Sequence, residues 1–221
     1  MLIIFKGCTF SFTQISQKIL DFKRNFCKTS HILKRCAKLQ KLLNLICFDF
    51  SMIKIRKHLQ KDIPYRVKWL NNPHVNKFIG DELGQKTNLQ KEKKWFTNYK
   101  KAKNKKFFTI CDDSKPIGFL GLSNISNPNK NADLFIAIGE DDYRGKGIGK
   151  ISMKWIIDYG FTKLKLHKIN LGVTKDNISA VKLYQSLGFV IEGEMRDEVF
   201  YEGKFYNFLS MAIFNRNQNK K

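Results

Sequence analysis

The 221 residues leave room for one domain of ordinary size plus an appendage, and 43% hydrophobic with 13% aromatic content is ample for a packed core. A formal charge of +22, from 41 Lys and Arg against 19 Asp and Glu, points to anionic partners, although a lysine-rich composition alone would give the same balance. No apolar run approaches the length of a membrane span, and five cysteines without C-x-x-C spacing exclude a disulfide framework and a zinc site, so a reducing, cytoplasmic setting and no metal are expected.

Residues 1–51 form a basic extension, with nine Lys and Arg against two Asp. Leucines at helical spacing between Ile32 and Ile46 suggest an amphipathic helix. An organelle transit peptide, a membrane-surface or partner helix, and upstream sequence joined to a domain starting at Met52 all remain open. The last is favoured, because Met52-Ile-Lys-Ile-Arg56 alternates like a first strand, and the extension is then expected to pack poorly.

Lys61-Asp-Ile-Pro64 reads as a helix start, with Asp62 as N-cap, and Trp69 and Leu70 lie on its apolar face before Asn71-Asn-Pro73 breaks it. A second helix is predicted over about 88–103, its lysine-rich face solvated. Strands follow at Lys106–Cys111, Ile117–Leu122 and Ala132–Gly139, with Cys111 as a core residue and a polar loop over 123–131. A helix over Ile151–Leu166, a strand at Lys168–Val173 and a helix over Asn177–Leu187 closed by Gly188 come next. Two last strands, Phe189–Glu194 and Phe205–Phe214, are joined through an Arg196–Lys204 loop. The order implies an α/β domain with one mixed sheet over residues 52–214, then a polar tail over 215–221.

The most informative stretch is Arg144-Gly145-Lys146-Gly147-Ile148-Gly149-Lys150, between a strand and a helix. That arrangement aims backbone N–H groups and a helix N-terminus at an anion, and glycine admits positive φ and close approach of a phosphate. Neither a Walker loop nor a dinucleotide fingerprint fits the spacing. What fits is [RQ]-x-x-G-x-[GA], through Arg144, Gly147 and Gly149. A second pattern, Asn177-x-x-Ala180-x-x-x-Tyr184-x-x-x-Gly188-Phe189, lies one strand later.

In these two motifs, and from about Met52 to Phe214, the chain resembles the GNAT N-acetyltransferases. It most resembles the branch of the RimJ- and RimL-type ribosomal-protein alanine acetyltransferases and the bacterial spermidine acetyltransferases. The resemblance implies acetyl-CoA as co-substrate. Ala137, Ile138 and Gly139 would bond the pantetheine arm and acetyl carbonyl, the amides of Arg144–Lys150 the pyrophosphate, and Asn177 and Ala180 the arm. The Tyr184 hydroxyl would protonate the leaving sulfur. Asp133 stands where relatives often carry Glu and is the expected general base, with an edge aspartate closing the polar loop as the equal alternative. His74 and His167 read as surface and helix-end residues.

Four acceptor classes stay open: a protein N-terminal or ribosomal-protein α-amine, an amino sugar, a polyamine drawn by Asp81, Glu82, Asp197 and Glu198, and an aminoglycoside. The domain from Met52 keeps 32 Lys and Arg against 17 Asp and Glu, which favours the first two over a polycation. A non-catalytic acetyl-CoA-binding module is the alternative to an enzyme; ribosome association and a homodimer are open expectations.

Overall fold

The computed structural model describes residues 3–5, 8–10, 53–79 and 84–216. The chain divides into two units, Met1–Asp49 and Phe50–Lys221. In the first, β1 (Ile3–Phe5) pairs antiparallel with β2 (Cys8–Phe10). The helix expected over 32–46, Asp81, Glu82 and the end of the tail lie outside the described residues.

The second unit is built on seven strands: β3 (Ile53–Lys57), β4 (Lys106–Asp112), β5 (Lys115–Ser126), β6 (Asn131–Ile138), β7 (Lys168–Thr174), β8 (Val190–Tyr201) and β9 (Lys204–Phe214). Their order across the sheet is β3-β4-β5-β6-β7-β9-β8, with β6–β7 the one parallel pair. Sequence pattern explains the burial of both faces. In β4, consecutive Phe107 and Phe108 point to opposite sides. Phe107 meets Trp95, Tyr99 and Phe135, whereas Phe108 meets Trp155 and Tyr159.

The first side is covered by α1 (Ile63–Leu70), α2 (Pro73–Asn76) and α3 (Leu89–Lys101), and the second by α4 (Ile148–Asp158). Asn72 and Asn88 cap α2 and α3 by accepting from His74 N and Lys91 N. Proline in the first turn of α2 means that Asn71-Asn-Pro73 restarts the helix after breaking it. Arg66 of α1 ties to Glu92 of α3 through a buried ion pair at 2.5 Å, its guanidinium 3.8 Å above the Trp95 ring.

Several boundaries differ from the sequence reading for definite reasons. Asp62 does not cap α1: residues 60–62 are already a helical turn, and its carboxylate turns back to the sheet, accepting from Arg56, Leu59 N and Thr109. The glycine loop is itself the start of α4, with Gly147 at the N-cap at φ +82°. That helix ends at Asp158 and widens into a π turn over Tyr159–Lys163. The stretch taken as a loop, 196–204, is mostly strand, β8 turning into β9 at Glu202-Gly203. Cys111 is buried in β4 and burial pushes its thiol up, as a core residue requires.

Candidate active site

The site arises where two parallel strands stop pairing. β6 bonds β7 only through Asn131↔Lys168, Ala132↔Ile169 and Asp133↔Asn170. On its other edge β6 stays in register with β5 as far as Ile138. From Leu134 onward, therefore, the β7-facing edge of β6 carries backbone groups with no strand partner. A cavity of about 740 Å³ opens along this edge. Its walls are Leu134–Ile138, Tyr143–Gly145 and Gly147–Lys150 of the glycine loop, Gly172–Thr174 at the end of β7, and one face of α5 (Ile178–Ser186); Lys146, expected at the site, is not among them.

Each wall has a local cause. Ala137 packs its methyl into a cluster with Trp69, Val75 and Phe119, which turns the strand edge toward the cavity. Gly139 lies against the Trp69 ring so tightly that a Cβ would overlap it. Beyond it a short turn over Asp141–Tyr143 leads into the glycine loop, with the Tyr143 hydroxyl donating to Asp112 at 2.8 Å. Arg144 is held from two sides: Nε donates to Ile138 O at 3.2 Å, and Nη1 pairs with Asp141 at 2.9 Å. Its Nη2 is buried without a partner among the described residues. A buried orphan donor beside a helix N-terminus and an open Gly145, around which no protein atom would meet a Cβ, suits a phosphate group.

Across the cavity, α5 is capped by Asn177, whose Oδ1 accepts from Ala180 N at 3.3 Å and from the Ser179 hydroxyl at 3.1 Å. The helix ends in a paired lock. Gly188 N donates to Gln185 O and Phe189 N to Tyr184 O, with Gly188 at φ +95°. This fixes Tyr184, which lines the cavity beside Phe189. Burial pushes its phenol up to about 12.

Of the expected residues, Ala137, Ile138, Arg144, Gly145, Gly147, Ile148, Gly149, Lys150, Asn177, Ala180 and Tyr184 come together on this one cavity. Gly139 stands just behind its wall, against Trp69. Asp133 does not join them. It occupies the last paired rung of β6 and β7, and its carboxylate accepts from Asn124 Nδ2 at 2.8 Å and Asn170 Nδ2 at 3.3 Å. No carboxylate lines the cavity among the described residues; the rim is made by His74, Val75, Lys77, Phe78 and Ile79. The motifs missed these rim residues, and Thr174, because their place depends on tertiary packing; only the break at Asn72-Pro73 hinted that the chain turns back there. Among the described residues no cluster of His, Cys, Asp and Glu could hold a metal ion, and no helix is long and apolar enough to cross a membrane.

Acetyltransferases are among the known proteins that this chain resembles. The spermidine N(1)-acetyltransferase of Escherichia coli K12 is 31% identical over 162 residues, covering 73% of this chain and 86% of that protein. A Vibrio cholerae spermidine N-acetyltransferase, solved with CoA and spermine, superposes with a TM-score of 0.69 at 27% identity, covering 74% of this chain and 96% of that one. A dodecameric structure of spermidine N-acetyltransferase from the same organism gives 0.67 at 26%, covering 77% and 98%. The family model of the acetyltransferase (GNAT) domain matches residues 53–190, more than half of the chain, and the protein therefore belongs to the GNAT family of acetyl-CoA-dependent N-acetyltransferases.

Proposed function

We propose that the acceptor is a polyamine of the spermidine type. The observation that carries this is the kinship with spermidine acetyltransferases over nearly the whole length of those enzymes. Net charge alone favoured an α-amine or an amino sugar, but charge at the mouth of a site counts for more than charge summed over the chain. The β8–β9 hairpin carries Glu192, Glu194, Asp197, Glu198 and Glu202 on exposed backbone. Its Tyr201 ring comes within 2.9 Å of where a Cβ on Gly84 would stand, near Asn76, the chain neighbour of the rim residues Val75 and Lys77. Glu192 and Glu194 pair with Lys168 and Lys175 at 2.8 Å, so Asp197, Glu198 and Glu202 are the carboxylates this hairpin offers to a polycation.

Acetyl-CoA supplies an activated acyl carbonyl and a thiolate leaving group. In this reading the chain's own residues do the rest. The free edge of Ala137–Gly139 aligns the pantetheine arm, while Arg144 and the amides of Gly145–Lys150 hold the pyrophosphate. Tyr184, at about 12, stays protonated throughout the neutral range. Complete transfer of its proton to a thiolate of pKa about 8.5 would be uphill by roughly 5 kcal/mol, so the phenol acts mainly by donating a hydrogen bond to the departing sulfur. Asp133, engaged by two asparagines outside the cavity, is withdrawn as the base; His74 offers the imidazole nearest the acceptor mouth. Self-association belongs to the same reading, because a relative is dodecameric and Val190, Ile191, Met195 and Phe200 stand exposed on the outermost strand.

One competition assay tests the acceptor. Spermidine, an alanine-starting peptide and an amino sugar are offered together with acetyl-CoA, and acetylated products are separated by mass. Spermidine is expected to dominate. Preferential acetylation of the peptide or the sugar would overturn the polyamine reading and leave the acetyltransferase assignment intact.

A further inference from the structure

We infer that Thr174 is a ligand-binding residue of the cleft, its hydroxyl holding a secondary amide of the pantetheine arm from the β7 side. The inference rests on the reading that this arm lies along the free edge of β6. Register places the residue. The last paired rung is Asp133↔Asn170. Four residues further along each strand stand Ala137 and Thr174, one on the β6 wall and one on the β7 wall. Both line the cavity.

Thr174 is 7% exposed, and its Oγ1 has no hydrogen-bond partner among the described residues. A buried hydroxyl left unmade is costly, and valine would fill the same β-branched volume without that cost. Its backbone carbonyl is already used, accepting from Asn177 N at 3.0 Å in the turn to α5, so the strand end is fixed and the side chain is held in place. The neighbouring wall residues Gly172 and Val173 carry no polar side-chain atom to satisfy it. Ser152 shows the contrast. It is also buried and unpartnered, but it lies on α4 away from the cavity, where no ligand can reach it.

The chemistry selects an amide. A hydroxyl both donates and accepts, so it can serve either the N–H or the C=O of such a group. An extended chain between β6 and Thr174 would be bonded by backbone on one side and by this side chain on the other. An aliphatic chain would satisfy neither wall.

The test is titration calorimetry of CoA, and separately of its phosphorylated ADP moiety, which lacks the arm. Both are titrated into the full chain, Thr174→Val and Thr174→Ser. Thr174→Val is expected to weaken CoA roughly three- to ten-fold, leave the ADP moiety unchanged, and melt no lower than wild type without ligand. Thr174→Ser is expected to restore CoA to within about two-fold. Wild-type affinity for CoA in Thr174→Val would overturn the inference, as would equal weakening of both ligands, or a lowered melting temperature that serine repairs without restoring CoA binding. A wild-type chain that binds the ADP moiety as tightly as CoA would instead sink the placement of the arm on which the inference rests.

Discussion

Trp69 Nε1 donates to Glu140 Oε1 at 2.9 Å while its ring closes against Gly139. The same carboxylate receives Lys68 Nζ at 2.8 Å. Burial opposes the charged form, but the bonds from Lys68 and Trp69 hold the Glu140 carboxyl below the usual range. A helix of the acceptor side thus fixes the turn through which the central strand enters the phosphate loop. Trp69 is fully buried and has no room to retreat. Gly139→Ala is therefore expected to lower stability by about 2 kcal/mol or more, as overpacking does, and to weaken CoA binding as well. Denaturant unfolding and CoA titration check the two effects; an alanine variant with wild-type values for both would show that the ring is free to move.

The glycine loop allows a sharper separation of folding from binding. Gly147 stands at φ +82° at the head of α4, and Gly145 at φ +71°. A side chain at either position is strained by about 1–2 kcal/mol, more for a β-branched one. At Gly145 no protein atom opposes a Cβ. Gly145→Ala should thus cost only that strain in stability, whereas Gly147→Val should lose CoA binding by well over ten-fold because it also blocks the backbone from a phosphate. Titration of CoA into both variants, after thermal melts, tells the two costs apart.

Tyr184→Phe should lower kcat by about ten- to a hundred-fold while changing CoA affinity less than about two-fold, because the hydroxyl serves charge that develops on sulfur during reaction. The raised phenol also fixes the pH behaviour. A tyrosine that must be protonated, with its folded pKa at about 12, gives no falling limb in kcat below about pH 10. The same shift stabilises the fold below pH 10, and that contribution is lost as pH rises from there through about 12. A kcat profile that falls between pH 8 and 9 in wild type but not in the phenylalanine variant would contradict this assignment.

The phosphate loop and α5 were legible because backbone geometry forces their residues. Gly147 and Gly188 sit at positive φ, and Asn177 caps its helix, so local sequence carries each signal. The base was not legible in the same way. Asp133 lies on the right strand, but whether its carboxylate reaches the cavity depends on where β6 and β7 part, a register set by the whole sheet. The end of β8 was missed as a strand for a related reason. Residues 196–201 are polar enough to read as a loop, yet Val199–Tyr201 pair with Lys204–Tyr206 in one exposed hairpin, and 196–198 bulge between that end and the Met195↔Phe208 rung. Polarity there reflects an edge strand with both faces near water, which alternation rules do not detect.

The buried polar cluster beside β3 yields a pH prediction away from the cavity. His58 is 4% exposed, with Nδ1 at 2.9 Å from Thr109 Oγ1. The Thr109 proton is committed to Asp62 at 2.9 Å, so Nδ1 must carry a hydrogen and donate it. Nε2 then holds the lone pair, without a partner among the described residues, in a pocket of Trp95, Phe96 and Phe107. Protonation would place charge among these rings, and burial, outweighing the upward pull of Asp62, pushes the imidazole down to about 4. The sign follows from linkage. Below the unfolded value of about 6.5 the unfolded chain binds the proton and the native one does not. The contribution is complete above that value and is lost as pH falls toward 4, by about 3 kcal/mol in all. His58→Phe keeps the ring in the aromatic pocket and removes the titration. The stability difference between wild type and variant, measured by urea unfolding, should move by about 2 kcal/mol in the variant's favour between pH 7 and pH 5, since carboxylates common to both cancel. A difference that stays constant over that range would mean that His58 keeps an ordinary affinity for its proton in the native state.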